Sequence, residues 1–279
     1  MILVSISYAF ICWRSHRVPN GPFTLADSAL PNQMPPNSQR VIVLGDSLTH
    51  GTMSHNWLED LQAEFEGEYA FVNAGTNGDL AWNALQKIDQ VSACKPDIIA
   101  IFIGGNDALA SLSPIWADNF ITRKGLPQSP TAGWYRQNLE AIICNLQTKT
   151  DAELAICTLT LFGEDLRSSE NEQMRTYSQI AVEVAKKYQI QLLPIHQNLC
   201  RFLTTRQIET GQKPTPATSY AIYRKLMRQS IIRYHFLFQS WDKISSAHQY
   251  VAQTDGVHLN SQAAGVITDT FRQWLKTAK

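Results

Sequence analysis

The sequence lacks a net charge and a cysteine framework, and each absence excludes a class of protein. Its 24 Lys and Arg residues balance 24 Asp and Glu residues, whereas nucleic-acid-binding proteins generally carry a basic surplus. The five cysteines are odd in number, widely spaced and without a Cys-x-x-Cys pair, which argues against a disulfide framework or a zinc site. With 279 residues, 44% of them hydrophobic, the chain is long enough for one large domain with a buried core.

The sequence also lacks an apolar run long enough to span a bilayer in the usual way. Residues 1–13 are almost wholly apolar and are followed by Arg14, His16 and Arg17, but a spanning helix needs about 20 apolar residues. A secretory signal would carry its positive charges before the apolar run. Residues 1–17 therefore leave two interpretations open. They form an anchor that holds the rest of the chain on the cytoplasmic side, or an apolar arm or signal remnant, so localisation stays open.

The next residues predict a linker and then one α/β domain. Residues 18–39 are rich in Pro, Asn and Ser, which is typical of a linker or extended arm, and residues 40–279 form the domain. Short apolar runs alternate there with stretches of helical spacing, a pattern that predicts a mostly parallel, five-stranded sheet covered on both faces. The predicted strands are 41–44, 69–72, 98–103, 154–158 and 190–193, and the predicted helices are 57–65, 80–91, 135–146, 177–188 and 261–275.

Two long segments interrupt this alternation, near residues 109–133 and 196–253. Ligands of open α/β sheets bind beyond the carboxyl ends of the strands, so we expect these long connections to cover the site. Within the second segment, residues 220–241 mix basic and apolar side chains. They fit a basic amphipathic lid that contacts a membrane or a lipid substrate, or a helix packed on the domain with a solvated basic face.

Four short motifs carry the residues suited to chemistry. Gly45-Asp46-Ser47-Leu48, Asn73-Ala-Gly-Thr-Asn-Gly78-Asp79 and Gly104-Gly105-Asn106-Asp107 follow three successive predicted strands, and Asp255-Gly-Val-His258 lies near the C-terminus. Each motif alone is compatible with ordinary turn chemistry. Because the first three close neighbouring parallel strands, we expect them to meet at one edge of the sheet, where the fourth supplies a base.

These motifs, in this order, resemble the conserved blocks of the SGNH (GDSL) hydrolase family over about residues 40–279. The resemblance implies a flavodoxin-like three-layer α/β/α sandwich and a serine esterase or lipase. It implies Ser47 as nucleophile, His258 as base and Asp255 as the orienting acid. The oxyanion donors would be the backbone N–H groups of Ser47 and Gly78 and the side chain of Asn106. Leu259 follows the histidine where the family often has proline, outside the catalytic atoms.

The chemistry of an ester explains why these residue types are needed. A serine hydroxyl is a weak nucleophile until an imidazole takes its proton, and the negative oxygen formed by attack requires fixed donors. An acid on the far side of the imidazole fixes its tautomer, and Asp255 is three residues from His258. Neither a metal nor a cofactor is required. The sequence shows no nucleotide-binding glycine loop and no metal-binding His-Glu-x-x-His motif.

The predicted function is therefore serine-dependent hydrolysis of a small-molecule, lipid or glycan ester. Two alternatives remain open at this point. The same site serves an O-acyltransferase that hands the acyl group to a sugar, and the same fold serves a non-catalytic glycan- or lipid-binding protein. Membrane contact would run through the apolar N-terminal segment, and no nucleic-acid partner is expected.

Overall fold

The computed structural model describes residues 13, 17, 23–25 and 37–277, so most of the predicted N-terminal segment and linker lies outside the described residues. Within the described residues, six parallel strands form one sheet in the order β1-β3-β2-β4-β5-β6. The strands are β1 (Phe23–Thr24), β2 (Gln39–Gly45), β3 (Tyr69–Gly75), β4 (Ile98–Phe102), β5 (Glu153–Cys157) and β6 (Gln191–Leu193).

The central strands are buried on both faces, and alternate side chains enter two separate cores. Ile42 and Leu44 of β2 point into one core, and Val41 and Val43 point into the other. All four side chains are fully buried. A strand covered on both sides has a continuous apolar sequence. The predicted strand 41–44 therefore lies within β2.

Helices cover both faces and complete the predicted three-layer sandwich. The helices of the described part of the chain are α1 (Ser47–His50), α2 (Trp57–Glu64), α3 (Ala81–Leu85), α4 (Ile88–Ala93), α5 (Gly105–Ala110), α6 (Pro114–Lys124), α7 (Ala132–Lys149), α8 (Ser169–Tyr188), α9 (Ile195–Thr210), α10 (Tyr220–His235), α11 (Trp241–Ala247) and α12 (Ser261–Thr277). The first core contains residues from α3 to α8, and the second contains residues from α2, α9 and α12.

The α/β class is confirmed, but the predicted count of five strands is wrong. The sixth strand, β1, pairs Phe23 and Thr24 with Val72 and Asn73 at the edge of the sheet. It lies inside the segment predicted to be a linker, and two residues are too few to produce a periodic pattern. Its place beside prolines is physically reasonable because edge strands tolerate proline where central strands do not.

The helix predicted over residues 80–91 is also divided in two. It is interrupted at Gln86 and Lys87, between α3 and α4. None of the helices in the described part of the chain combines the length and the apolar character needed to cross a membrane.

Candidate active site

Ser47 lies at the first turn after β2, at the carboxyl edge of the sheet. Asp46 caps the short helix α1, because its Oδ1 accepts a hydrogen bond from the Leu48 backbone N–H at 3.0 Å. The turn fits closely against the end of β3. A Cβ at Gly75 would lie 2.5 Å from the His50 backbone nitrogen, so only glycine allows this approach. Two of the sequence motifs are thus in direct contact around the serine.

His258 connects Ser47 to Asp255 through two hydrogen bonds. Its Nε2 lies 3.0 Å from the Ser47 Oγ, and its Nδ1 lies 2.7 Å from the Asp255 Oδ2. The other oxygen of Asp255 accepts the backbone N–H groups of Val257 and His258 at 3.0 and 2.9 Å. With Nδ1–H donating to Asp255, Nε2 is left to accept the serine proton.

The environment of His258 favours its protonated form. Burial acts to lower the pKa of His258, but the charge and hydrogen bond of Asp255, together with the charge of Asp46, raise it above its ordinary value. Both His258 and Asp255 are almost completely buried. An imidazolium formed during proton transfer is therefore balanced by a fixed carboxylate out of contact with water.

Gly78 and Asn106 face the same pocket as Ser47 and His258. Gly78 has φ +79°, a backbone conformation that glycine adopts without strain. The Asn106 Nδ2 donates to the Asp79 carbonyl at 2.8 Å and makes only a long contact of 3.4 Å with Asp46 Oδ2. One N–H of the Asn106 amide thus donates a hydrogen bond to Asp79, and the other has only the long contact with Asp46. Gly75, the other glycine of the second motif, is packed against the α1 turn instead, and it is Gly78 that lines the pocket.

The loop that carries Gly78 is fixed by two lysines. The Nζ atoms of Lys87 and Lys124 each lie 2.6 Å from a carboxylate oxygen of buried Asp79. Lys124 also donates to the Asn77 carbonyl at 3.0 Å, and Lys87 donates to the Thr76 hydroxyl at 2.6 Å. A donor in this loop is held rigidly, as a preorganised oxyanion site requires.

Two further acids of the motifs are buried and form no ion pair with a lysine or arginine of the described residues. Burial raises the pKa of Asp46 to about 6 and that of Asp107 to about 7. Asp107 accepts a backbone hydrogen bond from Ala81 N at 3.0 Å, which ties the third motif to the helix after the second. These acids support the loops around the serine, and a cluster of raised pKa values is typical of functional sites.

The pocket above Ser47 is small and is lined by both long segments predicted to cover the site. Its free volume is about 30 Å³, which is room for about two water molecules. Helix α6 contributes Trp116, Phe120 and Arg123, and helix α10 contributes Tyr220, Tyr223 and Met227. Residues 220–235 thus form a packed helix that also lines the pocket.

One buried acid near the site carried no signal in the sequence. The carboxylate of Glu164 accepts backbone N–H groups from Val251, Ala252 and Gln253 at 2.7–3.1 Å. These residues come just before Asp255, so Glu164 fixes the start of the loop that holds the acid and the base. The contact joins residues 87 to 89 positions apart, and no local pattern reveals a pairing at that distance.

The structure brings together every site residue predicted from the sequence. Ser47, Asp255 and His258 form one hydrogen-bonded chain, and Gly78 and Asn106 line the pocket beside them. The catalytic roles given to them stay predictions. The arrangement is suited to nucleophilic attack by a hydroxyl whose proton passes to an imidazole.

Solved structures share this fold at low sequence identity. The acetyl xylan esterase AlAXEase aligns with 17% identity and a TM-score of 0.55, covering 84% of this chain and 98% of that chain. Axe2, an acetylxylan esterase from Geobacillus stearothermophilus, aligns with 14% identity and a TM-score of 0.59, covering 86% of this chain and 95% of that chain. The lipase/acylhydrolase from Enterococcus faecalis aligns with 17% identity and a TM-score of 0.56, covering 86% of this chain and 96% of that chain. At such identities the likeness establishes the fold.

The family is established by the sequence itself. The model of the GDSL-like lipase/acylhydrolase family matches residues 43–265, a span that includes all five predicted site residues. No curated protein matches the chain in sequence. The family predicted from the motifs is confirmed: the chain belongs to the GDSL-like lipase/acylhydrolase family and is a carboxylic ester hydrolase.

Proposed function

We propose that the protein removes short acyl groups from a glycan or another small alcohol through an acyl-enzyme on Ser47. The observation that carries this proposal is the hydrogen-bonded chain from the Ser47 hydroxyl through His258 to Asp255, at 3.0 and 2.7 Å. This chain of hydrogen bonds is buried and ends at the small pocket. It supplies the nucleophile, base and orienting acid that acyl transfer requires.

In the first half of the reaction, Ser47 Oγ attacks the ester carbonyl while its proton passes to His258 Nε2. The tetrahedral oxyanion accepts hydrogen bonds from the backbone N–H groups of Ser47 and Gly78 and from the Asn106 amide. When the carbon–oxygen bond to the alcohol breaks, His258 returns the proton to the leaving alcohol. The acyl group is then bonded to Ser47 Oγ.

In the second half, water takes the place of the alcohol. His258 Nε2 removes a proton from the water as it attacks the acyl carbonyl, and the second oxyanion uses the same donors. The bond to Ser47 Oγ breaks and the serine regains its proton from His258. The products are the free acid and the resting enzyme, so neither a metal nor a redox partner takes part.

The size of the pocket favours a short acyl chain. The space beside Ser47 has room for about two water molecules and is on the scale of an acetyl group, whereas a long chain would displace the aromatic side chains of α6 and α10. Two structures of the same fold are described as acetyl xylan esterases, which supports an acetylated glycan as the substrate class.

Hydrolysis of p-nitrophenyl acetate, butyrate and palmitate by the wild type and by Ser47→Ala tests this proposal. We expect the highest kcat/KM on acetate, a fall on butyrate and little activity on palmitate, with all activity lost in Ser47→Ala. A preference for palmitate would contradict the short-chain assignment. Activity that survives in Ser47→Ala would contradict the acyl-enzyme.

A further inference from the structure

Helix α10 presents a second, outward face that the active site does not use. Five of its exposed residues recur at helical spacing: Ala221, Ile222, Lys225, Arg228 and Ile232. The chain continues beyond the helix into exposed Leu237 and Phe238. We call these five residues, together with Leu237 and Phe238, the α10 stripe. It combines exposed apolar and cationic side chains, whereas the solvated face of an ordinary packed helix is mainly polar.

Phe238 is the most unusual residue of the α10 stripe. Its side chain is 89% exposed, and its backbone has φ +51°, a region that bulky side chains rarely adopt. Leu237 beside it is 59% exposed. The exposed ring buries little apolar surface in this chain, so folding offsets neither its exposure to water nor its unfavourable backbone conformation. Such a feature is expected where the side chain is buried by a partner.

The charged side chains of the segment that carries the stripe have one sign. Between Gly211 and Trp241 the sequence contains no Asp or Glu, and its cations are Lys213, Arg224, Lys225, Arg228 and Arg233. In the part of the chain that the structure describes, no carboxylate pairs with Lys225, Arg228 or Arg233. The chain as a whole is neutral, so this segment is a local positive region. Its partner is therefore expected to be anionic.

We propose that the α10 stripe docks on an anionic lipid bilayer. The exposed isoleucines, Leu237 and Phe238 enter the boundary between headgroups and acyl chains, while Lys225 and Arg228 contact the acidic headgroups. A soluble polyanion would account for the cations but not for the exposed phenylalanine. An apolar protein groove would account for the phenylalanine but not for the cations.

Docking would place the active-site pocket close to the bilayer. Tyr223 and Met227 line the pocket from the inner side of the same helix, so the stripe and the site share one element. The inference is independent of the proposed reaction, because it rests on exposure, backbone conformation and charge outside the pocket.

Cosedimentation of the full chain with vesicles tests the apolar part of this proposal. We expect binding to vesicles of phosphatidylglycerol and phosphatidylcholine, weaker binding to phosphatidylcholine alone, and weakening with added salt. Phe238→Asn should lower the partition coefficient at least about tenfold, the effect of losing one buried aromatic side chain. Asparagine tolerates positive φ, so folding should be preserved. Ile208→Asn, which removes a side chain that is 77% exposed on α9, is the matched control and should bind as the wild type does.

A variant with fewer positive charges tests the electrostatic part of this proposal. Lys225→Gln combined with Arg228→Gln should weaken binding to the anionic vesicles, whereas Lys186→Gln combined with Arg167→Gln should not. Hydrolysis of a soluble short-chain ester should stay unchanged in all four variants. The proposal is overturned if the wild type does not bind, or if Phe238→Asn binds as tightly as the wild type. Sensitivity to the charge variant alone would also overturn the proposal, because it would show attraction to an anionic surface without insertion of Phe238.

Discussion

His258 lies between two acids that act on it in different ways. Asp255 bonds to Nδ1 at 2.7 Å and sets the tautomer, while Asp46 acts on the imidazole by charge without a direct bond. Burial opposes both effects. The pKa of His258 is therefore the balance of these two acids against burial, and a change to Asp255 shifts it in a defined direction.

Asp255→Asn should fold and lose most activity, with kcat falling by up to about 10⁴-fold because the amide no longer holds the imidazole in the reactive tautomer. In the proposed mechanism neutral His258 is the base, so kcat/KM of the wild type should rise with pH through the pKa of His258 in the free enzyme. Since Asp255 raises that pKa, the acid limb of the residual activity should move to lower pH. The pH profile of kcat/KM measures both effects.

Asp151→Asn is the matched control, because it makes the same chemical change at an exposed residue away from the pocket. It should keep the wild-type rate and profile. An Asp255→Asn variant with near-full activity, or with its acid limb at higher pH, would remove Asp255 from the mechanism.

Asn106→Ala should lower kcat by about 10²–10³-fold with little change in KM, because an oxyanion donor acts on the transition state more than on the bound ester. Steady-state kinetics on a short-chain ester measure the changes in kcat and KM separately. Asn145→Ala, which removes an amide from the outer helix α7, should leave both constants unchanged. A rise in KM at constant kcat would instead make Asn106 a residue that binds the ground state.

At the scale of elements, the active site depends on a contact between distant loops. Glu164 follows β5 and accepts the backbone N–H groups of residues 251–253. Burial raises the pKa of Glu164, and these hydrogen bonds oppose that rise. The segment that delivers Asp255 and His258 is therefore fixed from outside by one side chain that never meets the substrate.

Glu164→Gln replaces one acceptor oxygen with an amide that faces backbone donors. We expect the free energy of unfolding to fall by about 2 kcal/mol and kcat to fall about 10- to 100-fold from misplacement of the base, with KM less affected. Urea unfolding and kinetics below the unfolding temperature measure these effects. Glu66→Gln, at an exposed position, should change neither. An unchanged kcat in a destabilised variant would limit Glu164 to a role in folding.

At the scale of the whole molecule, the sequence is most informative where a pattern is local and repeated. The apolar run of β2 is buried on both faces, and the motifs that close three successive strands meet at one sheet edge. Topology places the three motifs there, whereas the choice of Ser47, Gly78 and Asn106 within them came from the resemblance to a family. His258 follows from its spacing to Asp255 together with the resemblance to a family.

What the sequence could not predict depends on contacts between distant residues or on very short elements. Strand β1 has two residues and exists because β3 offers an open edge. Tyr223 and Met227 reach the pocket because α10 packs back over the sheet edge, a placement that no helical periodicity encodes. Glu164 is paired across nearly ninety residues, so its role appears only in three dimensions.

The central claim is that Ser47 is the nucleophile of a complete catalytic site, and active-site labelling tests it most directly. The full chain would be treated with a fluorophosphonate, and the modified residue would be identified by peptide mass spectrometry. We predict one adduct, on Ser47, that is absent in Ser47→Ala and forms much more slowly in Asp255→Asn. Failure of the wild type to react, or an adduct on another serine, would contradict the account.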